Sequence, residues 1–323
     1  MAMLLLPFWL ADRLATLASL VTPPKATVYA AVEGGGTSWR AAIAVGRPDN
    51  IVERTTFKTE KPEVTLVAIR KWLDARKYDS LGIGTFGPIQ PDRSHPQYGC
   101  ITSTPKPFWK NAKVVQTLCP SGIPHLFDTD VNAPAYAEFL ALHATNPGLT
   151  SLAYITVGTG VGIGLVINGQ PVHGLLHPEG GHMLIRRQPG ETFAGVCPFH
   201  KDCVEGLVSA PALAARRGVS QEELANLDDD DFIWDAAADA LANACANLLL
   251  TVSPQAIVIS GGVMLRACLF DKVRARTLEL LAGYVDVEQL LQRPEEVIRP
   301  STWGNNAGIM GALHLSKTAL ERS

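Results

Sequence analysis

The chain has 323 residues, enough for one large or two medium domains, and 47% of them are hydrophobic, as expected of a globular protein with a sizeable core. A formal net charge of −3 supplies no basic footprint for nucleic acid. Of six cysteines only Cys197 and Cys203 are close in sequence, which argues against a disulfide framework and for a reducing, cytoplasmic setting.

Residues Met1 to Val21 are mostly apolar, but the unbroken run Met1 to Ala11 is too short to span a bilayer. It has no basic segment ahead of it, as a secretory signal would, and Pro23-Pro24 separates it from the body. Residues 1–26 are therefore expected to be a dispensable extension. Thr27 to Val32 then reads as a buried strand, Glu33-Gly34-Gly35-Gly36-Thr37 as a tight turn, and Trp39 to Val45 as the returning strand. A third strand fits Ile51 to Phe57. Pro62 to Ala75 has helical apolar spacing with proline in the first turn. Strands follow at Ser80 to Thr85 and Ile123 to Phe127, and a helix at Val131 to Leu142.

The pattern then restarts. Leu152 to Val157 and Ile163 to Ile167 flank the turn Gly158-Thr159-Gly160-Val161-Gly162, and Asn168-Gly169 signals a hairpin leading into Gln170 to His173. A broad apolar stripe predicts a buried helix from Asp231 to Val252. Ala256 to Ile259 is a strand, Ser260-Gly261-Gly262-Val263-Met264 is expected to open another helix, and Ala307 to Leu315 forms a last one. Strand, glycine-rich turn and strand thus occur twice. That repeat implies two similar α/β domains with a cleft between them, divided near Asn146-Pro147-Gly148.

Glycine lets backbone N–H groups approach an anion closely, so the three glycine-rich turns are candidates to grip the phosphates of a nucleotide. None is a P-loop, and none opens a dinucleotide-binding unit with a suitably placed acid. Asp130, between a strand end and a helix start, is the candidate base for a substrate hydroxyl; capping the helix is its competing role, shared with Asp128 and Asn132. Glu33 could hold Mg²⁺ beside the phosphates, directly or through water. His182, Cys197, His200 and Cys203 follow the spacing H-x14-C-x2-H-x2-C, two imidazoles and two thiols suited to tetrahedral Zn²⁺. With no position left open, that zinc would be structural. Glu179, His182 and Glu205 around it could present fixed hydrogen-bonding groups to a polyol. The acidic run Asp228 to Asp231 reads as a solvated helix start.

With these residues in hand, the chain resembles a sugar kinase of the ROK family, most nearly its zinc-containing bacterial-type fructokinases. The motifs are E-G-G-G-T (33–37), G-T-F-G-P (84–88), T-P-K-P-F-W (104–109), T-D-V-N-A (129–133), G-T-G-V-G (158–162), H-P-E-G-G-H (177–182), C-P-F-H-K-D-C-V-E-G-L (197–207) and S-G-G-V-M (260–264). The resemblance implies two actin-like ATPase (ribonuclease H-like) domains: 27–145 plus 306–320, and 146–305 with a zinc-bound loop. It implies Asp130 as the catalytic base, and Glu179, His182, Glu205, Asn132 and Trp109 at the sugar. Gly35, Thr37, Thr159 and Gly160 would face the phosphates, and Pro211, Gly261, Gly262, Val263 and Met264 would line the adenosine site. ATP, Mg²⁺ and structural Zn²⁺ are the implied cofactors, and a homodimer the implied assembly.

Three positions depart from the family pattern. Ser38 stands where many members carry Lys or Arg, Ser209-Ala210-Pro211 where Ser-Gly is usual, and Thr129 where glucokinase-like members place Asn. Thr129, with Thr104-Pro105-Lys106 and Trp109, points to ATP-dependent phosphorylation of fructose at its 6-hydroxyl. Mannose, glucose and N-acetylated hexoses are the alternative substrates. A sugar-responsive regulator would need a basic helix-turn-helix before Glu33, where the sequence is apolar.

Overall fold

Val28 to Gly34 has no polar face, and in the computed structural model, which describes residues 26–323, it lies at the centre of a sheet. The expectation for residues 1–26 falls, Ala26 apart, outside the described residues. The first sheet contains β1 (Val28–Gly34), β2 (Ser38–Val45), β3 (Ile51–Lys58), β4 (Ser80–Thr85) and β5 (His125–Thr129) in the order β3-β2-β1-β4-β5. β2 is antiparallel to both neighbours, whereas β1, β4 and β5 run parallel. Helix α1 (Pro62–Asp74) buries Leu66, Ile69 and Leu73 on this sheet, and short α2 (Val114–Leu118) packs beside it. Helix α3 (Asn132–Thr145) follows β5.

The second sheet repeats the theme. β6 (Leu152–Val157) and β7 (Val161–Ile167) form a hairpin, and β6 pairs in parallel with β9 (Ala256–Ser260), as β1 pairs with β4. Two-residue β8 (Gln170–Pro171) and β10 (Ile298–Pro300) occupy the edges. Asn168 and Gly169 both have positive φ, 51° and 73°, as a two-residue hairpin turn requires. Helices α4 (Val204–Val208), α5 (Ala210–Arg217), α6 (Phe232–Thr251), α7 (Cys268–Leu281), α8 (Glu288–Gln292) and α9 (Pro294–Val297) complete this half. The long α6 starts where Asp231 accepts the Ile233 N–H, so the acidic run does include a helix cap.

The last helix, α10 (Ala307–Glu321), returns to pack on β4, β1 and α3. It approaches β4 so closely that a Cβ on Gly82 would lie 1.8 Å from the Ala312 carbonyl oxygen. Side chains of α3, including Tyr136, Phe139 and Leu142, share a cluster with Leu152, Tyr154 and Val166 of the second sheet and Leu315 of α10. The helix that follows the candidate base is thus held from both sides. Among the described residues no helix is long and apolar enough to cross a membrane.

One predicted element differs. Residues 260–264 do not open a helix directly: Gly262–Leu265 is a single 3₁₀ turn, and α7 begins at Cys268. Gly261 has φ +100°, and Arg266 is extended, so the helical path is broken on both sides of the turn.

Candidate active site

The motifs converge on a cleft of about 740 Å³ between the two sheets. Its wall includes Gly36, Phe86, Asp130, the turn Gly158–Gly162, Glu179, His182 and Glu205. Asp130 sits one residue beyond β5, where its N–H donates to the Thr85 carbonyl at 2.9 Å and prolongs the β4–β5 ladder. The Asn132 N–H at the start of α3 is satisfied by Thr129 Oγ1 at 2.9 Å, so the Asp130 carboxylate is not consumed as a cap. Burial, reinforced by the negative charges of Glu33 and Glu179, pushes Asp130 up to about 7. A carboxyl held near neutrality in a cleft is poised for proton transfer.

Glu179 lies on the loop after β8 and is likewise raised to about 7, by burial first and then by Glu205. That loop presses against β7: a Cβ on Gly181 would fall 1.8 Å from the Val161 carbonyl oxygen, a distance only glycine permits. Glu205, from the first turn of α4, accepts the Val161 N–H at 3.0 Å, and a Cβ on Gly160 would come within 2.7 Å of the same carboxylate oxygen. Glu205 therefore ties the glycine turn after β6 to the start of α4.

The sequence-predicted metal set assembles. The ligand atoms of His182, Cys197, His200 and Cys203 all lie within 4.8 Å of one another. His182 Nδ1 is 3.7 Å from both Cys197 Sγ and Cys203 Sγ, and Cys197 Sγ is 3.9 Å from His200 Nδ1. Ligand separations of roughly 3.5 Å are what tetrahedral bonds to Zn²⁺ require, so the donor set fits the ion. Burial pushes the Cys203 thiol up to about 11, with Cys197 adding to the shift, and a dication between the sulfurs would offset that cost.

Beside the Gly158–Thr159 turn opens a further cavity of about 820 Å³, walled by Leu224, Ala225, Trp234, Gly262, Val263 and Arg266 among others. The Arg266 guanidinium lies 4.3 Å over the Trp234 ring and donates to the Leu227 carbonyl at 2.7 Å. A roomy, partly apolar cavity next to a glycine turn suits a nucleotide base. Trp234 and Arg266 were not among the sequence candidates; they lie 32 positions apart, and no motif joins them.

Several candidates occupy other positions. Trp109 is fully buried, stacked 5.1 Å from Trp39 with its Nε1–H on the Glu60 carbonyl, so Phe86, packed edge-on against both indoles, faces the cleft instead. Asn132 is fully buried as well. It donates to the Val172 carbonyl at 3.3 Å and accepts the Leu165 N–H at 3.4 Å, which ties α3 to the second sheet. On the first turn, Gly36 reaches the cleft wall, while the Gly35 N–H is bonded to the Ser38 carbonyl and Thr37 is exposed. Ala210, rather than Pro211, lines the cavity beside Trp234. Met264 turns into the core, and Gly261 shapes the path without reaching the wall. Glu33 is paired with Arg40, whose Nη2 lies 2.7 Å from one carboxylate oxygen and 2.5 Å from the other.

Comparison with known proteins yields a consistent set. The ROK family model matches residues 29–319. A fructokinase of Lactococcus lactis subsp. cremoris is 37% identical over 291 residues, 89% of this chain and 96% of that protein. A fructokinase of Zymomonas mobilis subsp. mobilis is 37% identical over 303 residues, covering 90% and 97%. Among solved structures, a ROK family glucokinase from Streptomyces griseus, in complex with glucose and AMPPNP, superposes with a TM-score of 0.69 at 21% identity, covering 91% of this chain and 99% of that one.

Proposed function

Because the chain belongs to the ROK family, we propose that it is an ATP-dependent fructokinase that phosphorylates D-fructose at the 6-hydroxyl. One observation carries the chemistry. Asp130 stands just beyond β5 in a cleft whose wall also carries Glu179, His182 and the glycine turn at 158–162, and among the described residues no other side chain bonds its carboxylate. Fructose, rather than glucose, follows from the curated relatives at 35–39% identity over about nine-tenths of the chain.

In this reading the sugar lies against Glu179, His182 and Glu205, which accept and donate to its hydroxyls and hold the 6-hydroxyl beside Asp130. The Asp130 carboxylate accepts the hydroxyl proton as the oxygen attacks the γ-phosphorus, and ADP leaves. The backbone amides of Gly36 and of the turn at Thr159–Gly160 face the phosphates, where aligned N–H groups stabilise negative charge. The base lies in the slot walled by Trp234, Val263 and Arg266. Closing the two domains, 27–145 plus 306–320 against 146–305, would exclude water from the transferring phosphoryl group.

Mg²⁺ bound with ATP would neutralise charge on the phosphates. Glu33 is the carboxylate of the first turn suited to it, directly or through water, because Arg40 donates to one of its oxygens while the other is buried without a hydrogen-bond donor. Zn²⁺ held by His182, Cys197, His200 and Cys203 would cross-link the loop with no open position, leaving His182 Nε2 free toward the cleft. A cytoplasmic homodimer fits the reading, the location resting on the cysteine pattern and the assembly on the family resemblance.

The test is a panel of fructose, mannose, glucose and N-acetylglucosamine at equal concentration with Mg-ATP, followed by ADP release. Fructose should give the highest kcat/KM and fructose 6-phosphate as product. No turnover of fructose, or faster turnover of another hexose, would overturn the substrate assignment.

A further inference from the structure

The loop after β8 reaches across to the first sheet through two histidines. His173 Nε2 lies 3.0 Å from Asp128 Oδ2 on β5. Four residues later, His177 is buried to 1% side-chain exposure, and its Nε2 accepts the Ile89 backbone N–H at 3.0 Å. A backbone amide can only donate, so Nε2 carries no proton and the ring is the neutral Nδ1–H tautomer. Burial pushes this imidazole below its ordinary range, in agreement with a neutral ring. The Nδ1–H is directed at the Pro178 carbonyl, 3.3 Å away, and the Glu179 carboxylate, 3.4 Å away.

What the two ends of this contact hold gives it meaning. Ile89 belongs to the turn that begins at Phe86, directly after Thr85, whose carbonyl accepts the Asp130 N–H. The imidazole packs on that turn: a Cβ on Gly87 would lie 3.1 Å from His177 Cε1. On its own loop His177 is two residues before Glu179 and five before His182. A short path of bonds therefore runs from the candidate base through Thr85, Ile89 and His177 to the candidate sugar ligands of the other half of the molecule, beside the separate His173–Asp128 pair. Ile89 is fully buried, so without an acceptor at Nε2 its N–H would be left unpaired.

We propose that His177 is a positioning residue for phosphoryl transfer: it clasps the loop bearing Glu179 and His182 to the turn after β4, and so sets those side chains relative to Asp130. The inference rests on the kinase reading above. A plain core histidine would affect folding stability alone, whereas a clasp governs the distance between base and sugar.

Three variants separate these roles. His177→Gln can place its amide oxygen near the Nε2 position and keep the Ile89 bond; it should hold the sugar KM and kcat within about threefold of wild type. His177→Phe fills similar volume without an acceptor, and His177→Asn is too short to reach Ile89. Each should raise the sugar KM or lower kcat by about tenfold or more, while the KM for ATP changes less than about twofold, assayed well below each variant's Tm. If Phe does not fold, the Gln–Asn pair carries the comparison. The sugar used is whichever hexose the wild-type protein phosphorylates fastest, so failure on fructose sinks the substrate assignment and leaves this comparison standing. Lowered Tm with unchanged kinetics in Phe and Asn, or a Gln variant as impaired as the other two, would overturn the clasp.

Discussion

The two ends of the cleft are built from different materials. The end proposed for the sugar consists of side chains: Asp130, Glu179 and Glu205 with the His182–Cys203 cluster, and in Asp130, Glu179 and Cys203 desolvation shifts the proton affinity. The end proposed for the nucleotide has glycine turns at 158–162 and 260–262 and a cavity walled by Trp234 with Arg266 stacked on it, and the acids on its rim, Glu222 and Asp229, are exposed. The sugar end should therefore respond to charge, pH and metal, and the nucleotide end to steric change. Discrimination among hexoses needs groups that lose bonds when a hydroxyl moves, whereas phosphates need only many aligned N–H donors.

Asp130→Asn offers the largest break in that contrast. It should lower kcat by about 10³-fold with little change in the KM for ATP, measured by steady-state kinetics. The wild-type protein should lose kcat/KM as pH falls below about 7, because the base must be ionised, and this limb should vanish in the residual activity of the Asn variant. Stability should move the other way. The Asp130 proton is held more tightly in the folded than in the unfolded chain, so its stabilising effect is complete below the unfolded carboxylate range near 3.8 and is lost as pH rises through about 7. Melting curves should accordingly show Asn gaining on wild type between pH 4 and pH 8, by a widening margin.

Cys203→Ser comes next and tests whether the metal cluster serves the sugar end. Loss of one thiolate ligand should destabilise the protein by on the order of 4 kcal/mol and raise the sugar KM, with the ATP KM little changed. Bound zinc, Tm and both KM values would be measured together; lost zinc with an unaltered sugar KM would detach the cluster from the site. Gly261→Ala tests the nucleotide end. At φ +100°, with Val157 O 2.3 Å from the added Cβ, it should cost about 3 kcal/mol and raise the ATP KM more than the sugar KM. The smallest change is Arg266→Ala, which removes the cation over Trp234 and should weaken ATP two- to fivefold, about 0.5–1 kcal/mol, with sugar kinetics unaltered. An Arg266 variant that altered the sugar KM instead would break the division between the two ends.

What could be read from the sequence was local in chain. The metal set lies in a short stretch whose ligand types and spacing leave few alternatives, and its atoms do meet. The three glycine turns and the strand-end position of Asp130 follow from residues a few positions apart, because turns and strand ends are decided by nearby φ and ψ preferences. The repeated hairpin was visible for the same reason, and the two sheets bear it out. Tertiary packing alone decided the rest. A Trp109 or Asn132 near a motif can face substrate or core, and only the stacking on Trp39 and the bonds to Val172 and Leu165 turned both inward. The Trp234–Arg266 slot and the His177–Ile89 bond join residues 32 and 88 positions apart, and no periodicity along a chain encodes which distant groups a packed interior will bring within 3 to 4 Å.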